Sequence, residues 1–196
     1  MMKRLVWIVL LFALAAFGAA CASTPSKFYT LSPMAEPGGA TASYSVAVGP
    51  VSVPPMVDRP QIVVNVAPNQ VGIDEFNRWA APLKSDMARV VAENLAKILG
   101  TPLVSVFPQS TAAGASYRVL IDVMRFESAP GKSATLDAVW TVRGAKEGAS
   151  RSGRTTVSEP VADKSYAALV AAHSHALGRL SNEVAGAIRT LERGGR

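Results

Sequence analysis

Apolar residues recur at three- and four-residue spacing in two long segments of the chain. The first segment ends at Leu99 and is followed by Gly100 and Pro102, residues that commonly end a helix. The second covers about residues 164–193. An apolar stripe of this period lies on one face of an α-helix, so the pattern predicts two amphipathic helices. The stripes are Trp79, Leu83, Met87, Val90, Val91, Leu95, Ile98 and Leu99, then Tyr166, Val170, His173, Leu177, Leu180, Val184, Ile188 and Leu191.

Other segments alternate apolar and polar residues, as half-buried strands do. In the segment 136–143 this alternation puts Trp140 on one face and Asp137 on the other. The pattern over residues 67–78 predicts a loop, and a short strand near 71–73 is an open alternative within it. Two amphipathic helices and about five to seven strands favour an α+β fold, a two-layer sandwich with the helices on a mixed or antiparallel sheet. The predicted strands are 44–53, 61–66, 103–107, 117–127, 136–143 and 154–160.

The first 20 residues form a separate region. Lys3 and Arg4 precede an apolar run of about twelve residues, and small residues from Gly18 to Ala20 follow it. A basic start, a short apolar core and a small-residue exit are typical of a secretory signal. An uncleaved membrane anchor is the alternative, because uncharged residues extend to Ala22, close to the minimum of about 17 for a spanning helix. The short apolar core favours the cleaved signal.

Cys21 is the only cysteine of the 196-residue chain and follows these small residues directly. A lone cysteine in an exported chain is a free thiol, an intermolecular link or a modified residue. Its position resembles the lipobox of bacterial lipoproteins. That resemblance implies a signal peptide over residues 1–20 and a covalent lipid on Cys21, made of S-diacylglycerol and an N-acyl chain. Ala22 stands where lipoproteins kept at the inner membrane often carry Asp, which implies transfer to the outer membrane.

Residues 21–43 are rich in Pro, Gly and small polar residues and have no periodic apolar face. We expect them to form the lipidated N-terminus and a flexible tether before a folded domain at 44–196. Phe28, Tyr29 and Leu31 interrupt this composition. They predict a short strand or edge segment that docks on the folded domain.

Charge and motifs exclude several classes of function. The net charge of +6 is scattered along the chain, with no basic cluster interleaved with aromatic residues, so we expect no nucleic-acid partner. The sequence has no G-x-S-x-G motif and no glycine-rich phosphate loop. His173 and His175 point to different sides of the predicted helix, which disfavours a metal site. We therefore expect a protein that is not an enzyme, with no catalytic residue, metal or cofactor other than the lipid.

Eight short motifs follow one another along the mature chain. Each motif is short, but together their order and spacing resemble those of the ABC-type transport auxiliary lipoproteins, the PqiC/YmbA-like family. The motifs are Phe28-Tyr29-Thr30-Leu31, Val48-Gly49-Pro50-Val51, Asp58-Arg59-Pro60-Gln61-Ile62-Val63, Arg78-Trp79-Ala80, Asn94-Leu95-Ala96, Tyr117-Arg118-Val119, Leu136-Asp137-Ala138-Val139-Trp140 and Tyr166-Ala167-Ala168-Leu169-Val170.

The resemblance implies a lipid-anchored subunit on the periplasmic face of the outer membrane. Such a subunit works with an MCE-domain protein and inner-membrane ABC transport subunits that move lipid between the two membranes and support envelope integrity. A homo-oligomer, such as a ring around a tube, is compatible with this role. The alternative is a structural envelope lipoprotein, a scaffold at the peptidoglycan or outer membrane without a transport role.

Three short segments are candidate partner contacts. They are the segment after the lipobox, the turn before the second strand and the region just before the first helix. Trp79 has two interpretations: a core residue, or a partly exposed residue at an interface, where tryptophan is enriched. The candidate residues are Phe28, Tyr29, Leu31, Asp58, Arg59, Pro60, Arg78 and Trp79.

Overall fold

The computed structural model describes residues 24–39, 41–145 and 148–194, and within them the chain forms eight strands and two long helices. This α+β composition confirms the predicted class, with more strands than expected. The elements are β1 (Lys27–Tyr29), β2 (Val46–Ser52), β3 (Gln61–Ala67), β4 (Gln70–Trp79), α1 (Leu83–Leu99), β5 (Val104–Val106), a 3-10 turn (Ser110–Ala112), β6 (Tyr117–Ala129), β7 (Ser133–Gly144), β8 (Ser150–Pro160) and α2 (Tyr166–Gly194).

The larger sheet has five strands in the order β5-β2-β6-β7-β8. β5, β2 and β6 run parallel, and β6, β7 and β8 form antiparallel hairpins. Helix α1 packs over β2 and β5, helix α2 packs over β7 and β8, and the two helices contact each other. The result is the two-layer sandwich that the hydrophobic pattern predicts.

The core lies between this sheet and the helices. The predicted inward face of β7, which includes Trp140, is buried, and so are the apolar stripes of both helices apart from the half-buried Tyr166 and Leu191. Burying one such side chain contributes about 1.5–3 kcal/mol. Residues with no exposed surface include Val46, Val48, Val90, Val91, Leu95, Val119, Leu136, Ala138, Val142, Leu180, Val184 and Ile188.

Helix α1 ends as predicted and begins later than predicted. Gly100 adopts the left-handed conformation, with φ of 63°, and its N–H bonds to the last turn of the helix. At the other end, Pro82 is extended and caps a helix that starts at Leu83. Trp79 is the last residue of β4. The expected helix start near Trp79 is therefore wrong, because the spacing from Trp79 to Leu83 matches a helical period by coincidence.

A second, smaller sheet has the order β1-β4-β3. β3 and β4 form an antiparallel hairpin, and β1 runs parallel to β4. The loop expected over 67–78 is thus mostly strand. Its alternation is hidden by a bulge, where the Asp74 carboxylate accepts hydrogen bonds from the N–H groups of Phe76 (2.8 Å) and Asn77 (3.0 Å).

The segment that follows β1 is packed on the folded domain. Leu31 and Ala35 are buried, and the backbone of the segment bonds to groups along α1. The docked short strand predicted around Phe28, Tyr29 and Leu31 is present as β1 and the buried Leu31. The flexible tether expected over 21–43 is wrong for the packed residues after Leu31, because hydrogen bonds to helix side chains and carbonyls leave no period in the sequence. The bonds run from the N–H of Leu31 to Asp86 (2.8 Å), of Ala35 to Asn94 (3.0 Å), of Gly38 to the Lys97 carbonyl (3.0 Å) and of Ala42 to the Leu99 carbonyl (3.0 Å).

Cys21 and the predicted signal peptide lie outside the described residues, so both stay predictions. In the described part of the chain, neither helix combines the length and the hydrophobicity that crossing a membrane requires.

Candidate functional site

The small sheet brings the three predicted contact segments together. β1 lies beside β4 with Phe28 opposite Arg78 and Tyr29 opposite Trp79. The N–H of Trp79 donates a 2.7 Å hydrogen bond to the carbonyl of Pro60, and this bond joins the turn at residues 58–60 to the other two segments. Residues distant in the sequence therefore form one continuous region at the end of the small sheet.

The candidate residues differ in whether a partner could reach them. Phe28, Asp58, Arg59 and Pro60 are exposed, and Tyr29 and Arg78 are half-buried. Leu31 is only 1% exposed and Trp79 only 5%. These last two side chains belong mainly to the core, so little of either is open to a partner, and their role as partner contacts stays a prediction. Trp79 packs near Phe126, with ring centroids 6.2 Å apart.

A cleft of about 350 Å³ opens in this region. We call it the Arg59 cleft; its walls are Asp58, Arg59, Pro60, Trp79, Ala80, Ala81, Pro82 and Leu83. The turn before β3 forms one wall, and the link between β4 and α1 forms the other. Residues 80–83 were not predicted as part of a site. The Ala-Ala-Pro stretch gives no chemical signal in the sequence.

Two charged side chains, Asp58 and Arg59, line the Arg59 cleft. Lys84 forms an ion pair with Asp58 (3.1 Å), and Arg78 forms one with Glu75 (3.3 Å). The exposed Arg59 has no ion-pair partner among the residues that the structure describes. The cleft thus presents a cationic side chain beside apolar walls, which suits an acidic or amphipathic protein surface.

Asp86 fixes the segment that follows β1 to helix α1. Its buried carboxylate accepts hydrogen bonds from the Thr30 hydroxyl (3.1 Å) and the Leu31 N–H (2.8 Å). Arg89 pairs with Asp86 (2.6 Å) and also donates to the Leu31 carbonyl (2.7 Å). Hydrogen bonds to charged groups are worth about 1.5–3 kcal/mol, so this cluster holds one side of the contact region firmly.

His173 is the buried histidine of helix α2, while His175 is exposed. The ring of His173 stacks on Phe126 at a centroid distance of 3.8 Å, and its Nε2 lies 2.8 Å from the Ser128 hydroxyl. Burial lowers the pKa of His173 to about 3, so the imidazole is neutral at neutral pH. Across the described residues, no three His, Cys, Asp or Glu side chains come together as metal ligands would.

Asp137 lies on the face of the five-stranded sheet away from the helices, as the alternation predicts, yet it is buried. Arg154 (2.7 Å), Thr156 (3.1 Å) and Arg125 (3.2 Å) hydrogen-bond to its carboxylate. The bonds from Arg154 above all hold the pKa of Asp137 well below its usual range. Both carboxylate oxygens of Asp137 accept hydrogen bonds from the neighbouring strands β6 and β8, so this cluster stabilises the sheet.

Tyr166 at the start of α2 supports the base of the β3–β4 hairpin. Its hydroxyl donates to Asp74 (2.9 Å), and its ring lies 6.0 Å from that of Tyr29. Burial and the hydrogen bond to Asp74 raise the pKa of Tyr166 to about 12. The small sheet is therefore fixed to the helical layer at the bulge of β4.

Comparison with known proteins agrees with this architecture. The Xanthomonas campestris protein XCC0632, a DUF330 family protein, superposes with a TM-score of 0.69 at 22% identity, covering 87% of this chain and 100% of that one. A second crystal structure, of an uncharacterized protein, gives a TM-score of 0.68 at 17% identity, covering 84% and 99%. At these identities the likeness establishes the fold alone.

No curated protein matches the sequence. The family model described as the ABC-type transport auxiliary lipoprotein component matches residues 29–185. That range contains both sheets except the first residues of β1, all of helix α1 and most of helix α2. The chain therefore belongs to the family of ABC-type transport auxiliary lipoprotein components.

Proposed function

We propose that this protein is a lipid-anchored, non-catalytic subunit on the periplasmic face of the outer membrane. There it docks the conduit of an MCE-type, ABC-driven lipid transport system. Family membership supports the association with a transporter and the lipoprotein character. The outer membrane, the MCE-domain partner and the lipid on Cys21 are parts of the proposal.

The position of the Arg59 cleft carries the proposal. The cleft lies where β1 and β4 end, at Tyr29 and Trp79. The chain from Cys21 enters the small sheet at the opposite end of β1, at Lys27. A partner that reaches across from the inner membrane would therefore meet the cleft on the side away from the lipid attachment.

Reversing the charge of Arg59 tests this docking site. The full-length tagged protein is purified from detergent-solubilised envelopes, and the co-purifying proteins are identified by mass spectrometry. Arg59→Glu places a carboxylate beside Asp58 in the cleft wall, and we expect it to lower recovery of the partner about tenfold. Arg143→Glu, also exposed but at the end of β7 in the other sheet, is the matched control and should recover as much partner as the wild type.

Three results would count against parts of the proposal. If the wild type recovers no MCE-domain or transporter subunit, the transport role fails. If Arg59→Glu and Arg143→Glu recover equal amounts, the partner binds elsewhere on the protein. Co-sedimentation of the wild type with peptidoglycan, without any transporter subunit, would support the scaffold alternative.

A further inference from the structure

The end of the β3–β4 hairpin exposes apolar side chains on both of its faces. We define this hairpin tip as residues 66–73. Val66 lies on the face toward which a Cβ on Gly72 would point, and Val71 and Ile73 lie on the other; all three are exposed. No charged residue occurs from Gln61 to Ile73. The tip is therefore an uncharged, largely apolar projection.

The hairpin is held firmly at its base. Val63 and Val64 of β3 are buried, β3 packs against β6, and the bulge of β4 bonds to Tyr166. Antiparallel strands normally cover at least one face with other parts of the protein, and exposed apolar clusters usually mark an interaction surface. Both faces of the hairpin are uncovered at its tip, so we expect the tip to contact an apolar surface outside this chain.

The direction of the N-terminal segment identifies that environment. β1 is parallel to β4, with Lys27 opposite Asn77. Residues before Lys27 therefore continue toward the start of β4, which is the hairpin tip. The chain that leads back to Cys21 leaves the folded domain on the same side as the tip.

The lengths of the two segments are also similar. Cys21 lies six positions before Lys27, which is a reach of at most about 22 Å. Gln70 lies seven positions before Asn77, which gives at most about 24 Å along β4. A lipid attached at Cys21 and the hairpin tip can therefore reach the same plane.

We propose that the hairpin tip rests in the interfacial layer of the membrane that holds the acylated Cys21. This inference rests on the proposed function, which places the lipid on that cysteine. Val66, Val71 and Ile73 contact the acyl chains near the headgroups, and the amides of Asn69 and Gln70 at the turn bond to headgroups and water. Two contacts, the lipid and the tip, orient the domain so that the Arg59 cleft faces away from the membrane.

A fluorescent label at the tip tests the contact. Val71→Cys introduces a thiol that is the only free one once Cys21 is acylated, and it accepts a nitrobenzoxadiazole dye. The full-length lipoprotein is reconstituted into phosphatidylethanolamine–phosphatidylglycerol vesicles with or without lipid that carries a doxyl group at acyl carbon 5. Val139→Cys is the matched control, because Val139 is 37% exposed, against 41% for Val71, but lies on the outer face of the five-stranded sheet.

We expect the doxyl lipid to quench the dye at position 71 at least about twofold more than the dye at position 139, since interfacial segments lie about 5–10 Å into the headgroup region. Val66→Cys, on the other face of the tip, should be quenched as well. Mass spectrometry of the N-terminal peptide measures the lipid on Cys21 in the same preparation.

The outcomes separate this inference from the proposed function. Equal quenching at positions 71 and 139 on a chain with acylated Cys21 would overturn the membrane contact and leave the lipoprotein role intact. A dye at position 71 that is shielded from aqueous iodide but not quenched by doxyl lipid would show a protein partner, such as a second copy, and would also overturn it. A chain without lipid on Cys21 would remove the proposed function and this inference together.

Discussion

Truncating Leu31 tests whether the N-terminal segment belongs to the folded domain. The apolar residues Phe28, Tyr29 and Leu31 predict a docked segment within an otherwise flexible tether, and the structure buries Leu31 to 1% exposure and bonds its N–H to Asp86. Leu31→Ala removes three buried carbon atoms and leaves a cavity beside helix α1. A tether residue would tolerate this change without loss of stability.

The expected loss follows from burial. Burying a leucine side chain contributes about 1.5–3 kcal/mol, and Leu→Ala substitutions in cores cost about 2–5 kcal/mol once the cavity is included. The segment lies near the end of the domain and can relax toward α1, which places the cost in the lower half of that range. We expect Leu31→Ala to lower the free energy of unfolding by about 2–3 kcal/mol.

Urea denaturation of the mature chain measures this difference, with Cys21→Ala as the background so that no lipid is attached. Leu103→Ala is the matched control: Leu103 is exposed, and its truncation should change stability by less than about 0.5 kcal/mol. Hydrogen exchange at the amides of Ala35 and Gly38 reports the segment directly, because both donate to groups of α1.

Equal midpoints for Leu31→Ala and Leu103→Ala, together with unprotected Ala35 and Gly38 amides, would refute the reasoning. That result would mean that the segment is a tether in solution. Faster exchange at these amides with an unchanged midpoint would show that the segment detaches locally without unfolding the domain.

Two further substitutions have expected effects that depend on tertiary contacts. The pKa of His173 is lowered to about 3 in the folded chain, against an ordinary value of 6.5. The unfolded chain therefore takes up the proton first as the pH falls. The free energy of unfolding decreases by up to about 1.4 kcal/mol per pH unit as the pH drops from 6.5 toward 3. His173→Phe should reduce this slope in urea titrations at several pH values, and His175→Phe should not. Gly153→Ala drives a methyl group into the ring of Trp140 and should cost about 1–3 kcal/mol, whereas Gly186→Ala, on an open surface of helix α2, should stabilise by about 0.5–1 kcal/mol.

Each of these predictions has a contrary outcome. If His173→Phe leaves the acid slope of stability unchanged, the buried imidazole is not the group that titrates. If Gly153→Ala melts at the wild-type temperature, the indole of Trp140 moves aside freely, and the close packing of β7 and β8 at this point is not rigid.

The sequence alone determined the elements whose signals are local. The helical stripes, the stop at Gly100 and the alternation in β6 and β7 depend on residues a few positions apart, so their period is visible without the fold. The two-layer α+β class follows from those elements. The family motifs are also local, and the match over residues 29–185 confirms the family that they indicated.

The tertiary structure decided what depends on distant partners. Leu31 and Asp86 are 55 residues apart, and nothing near either residue predicts their hydrogen bond. A bulge interrupts the alternation of β4, so the pattern of residues does not predict this strand. Trp79, the last residue of β4, is buried in the core. The Arg59 cleft and the hairpin tip lie at opposite ends of the small sheet because β3 and β4 pair as an antiparallel hairpin, and the parallel pairing of β1 with β4 brings the N-terminal segment in from the side of the tip. Pairing direction is a property of the fold that no single segment carries.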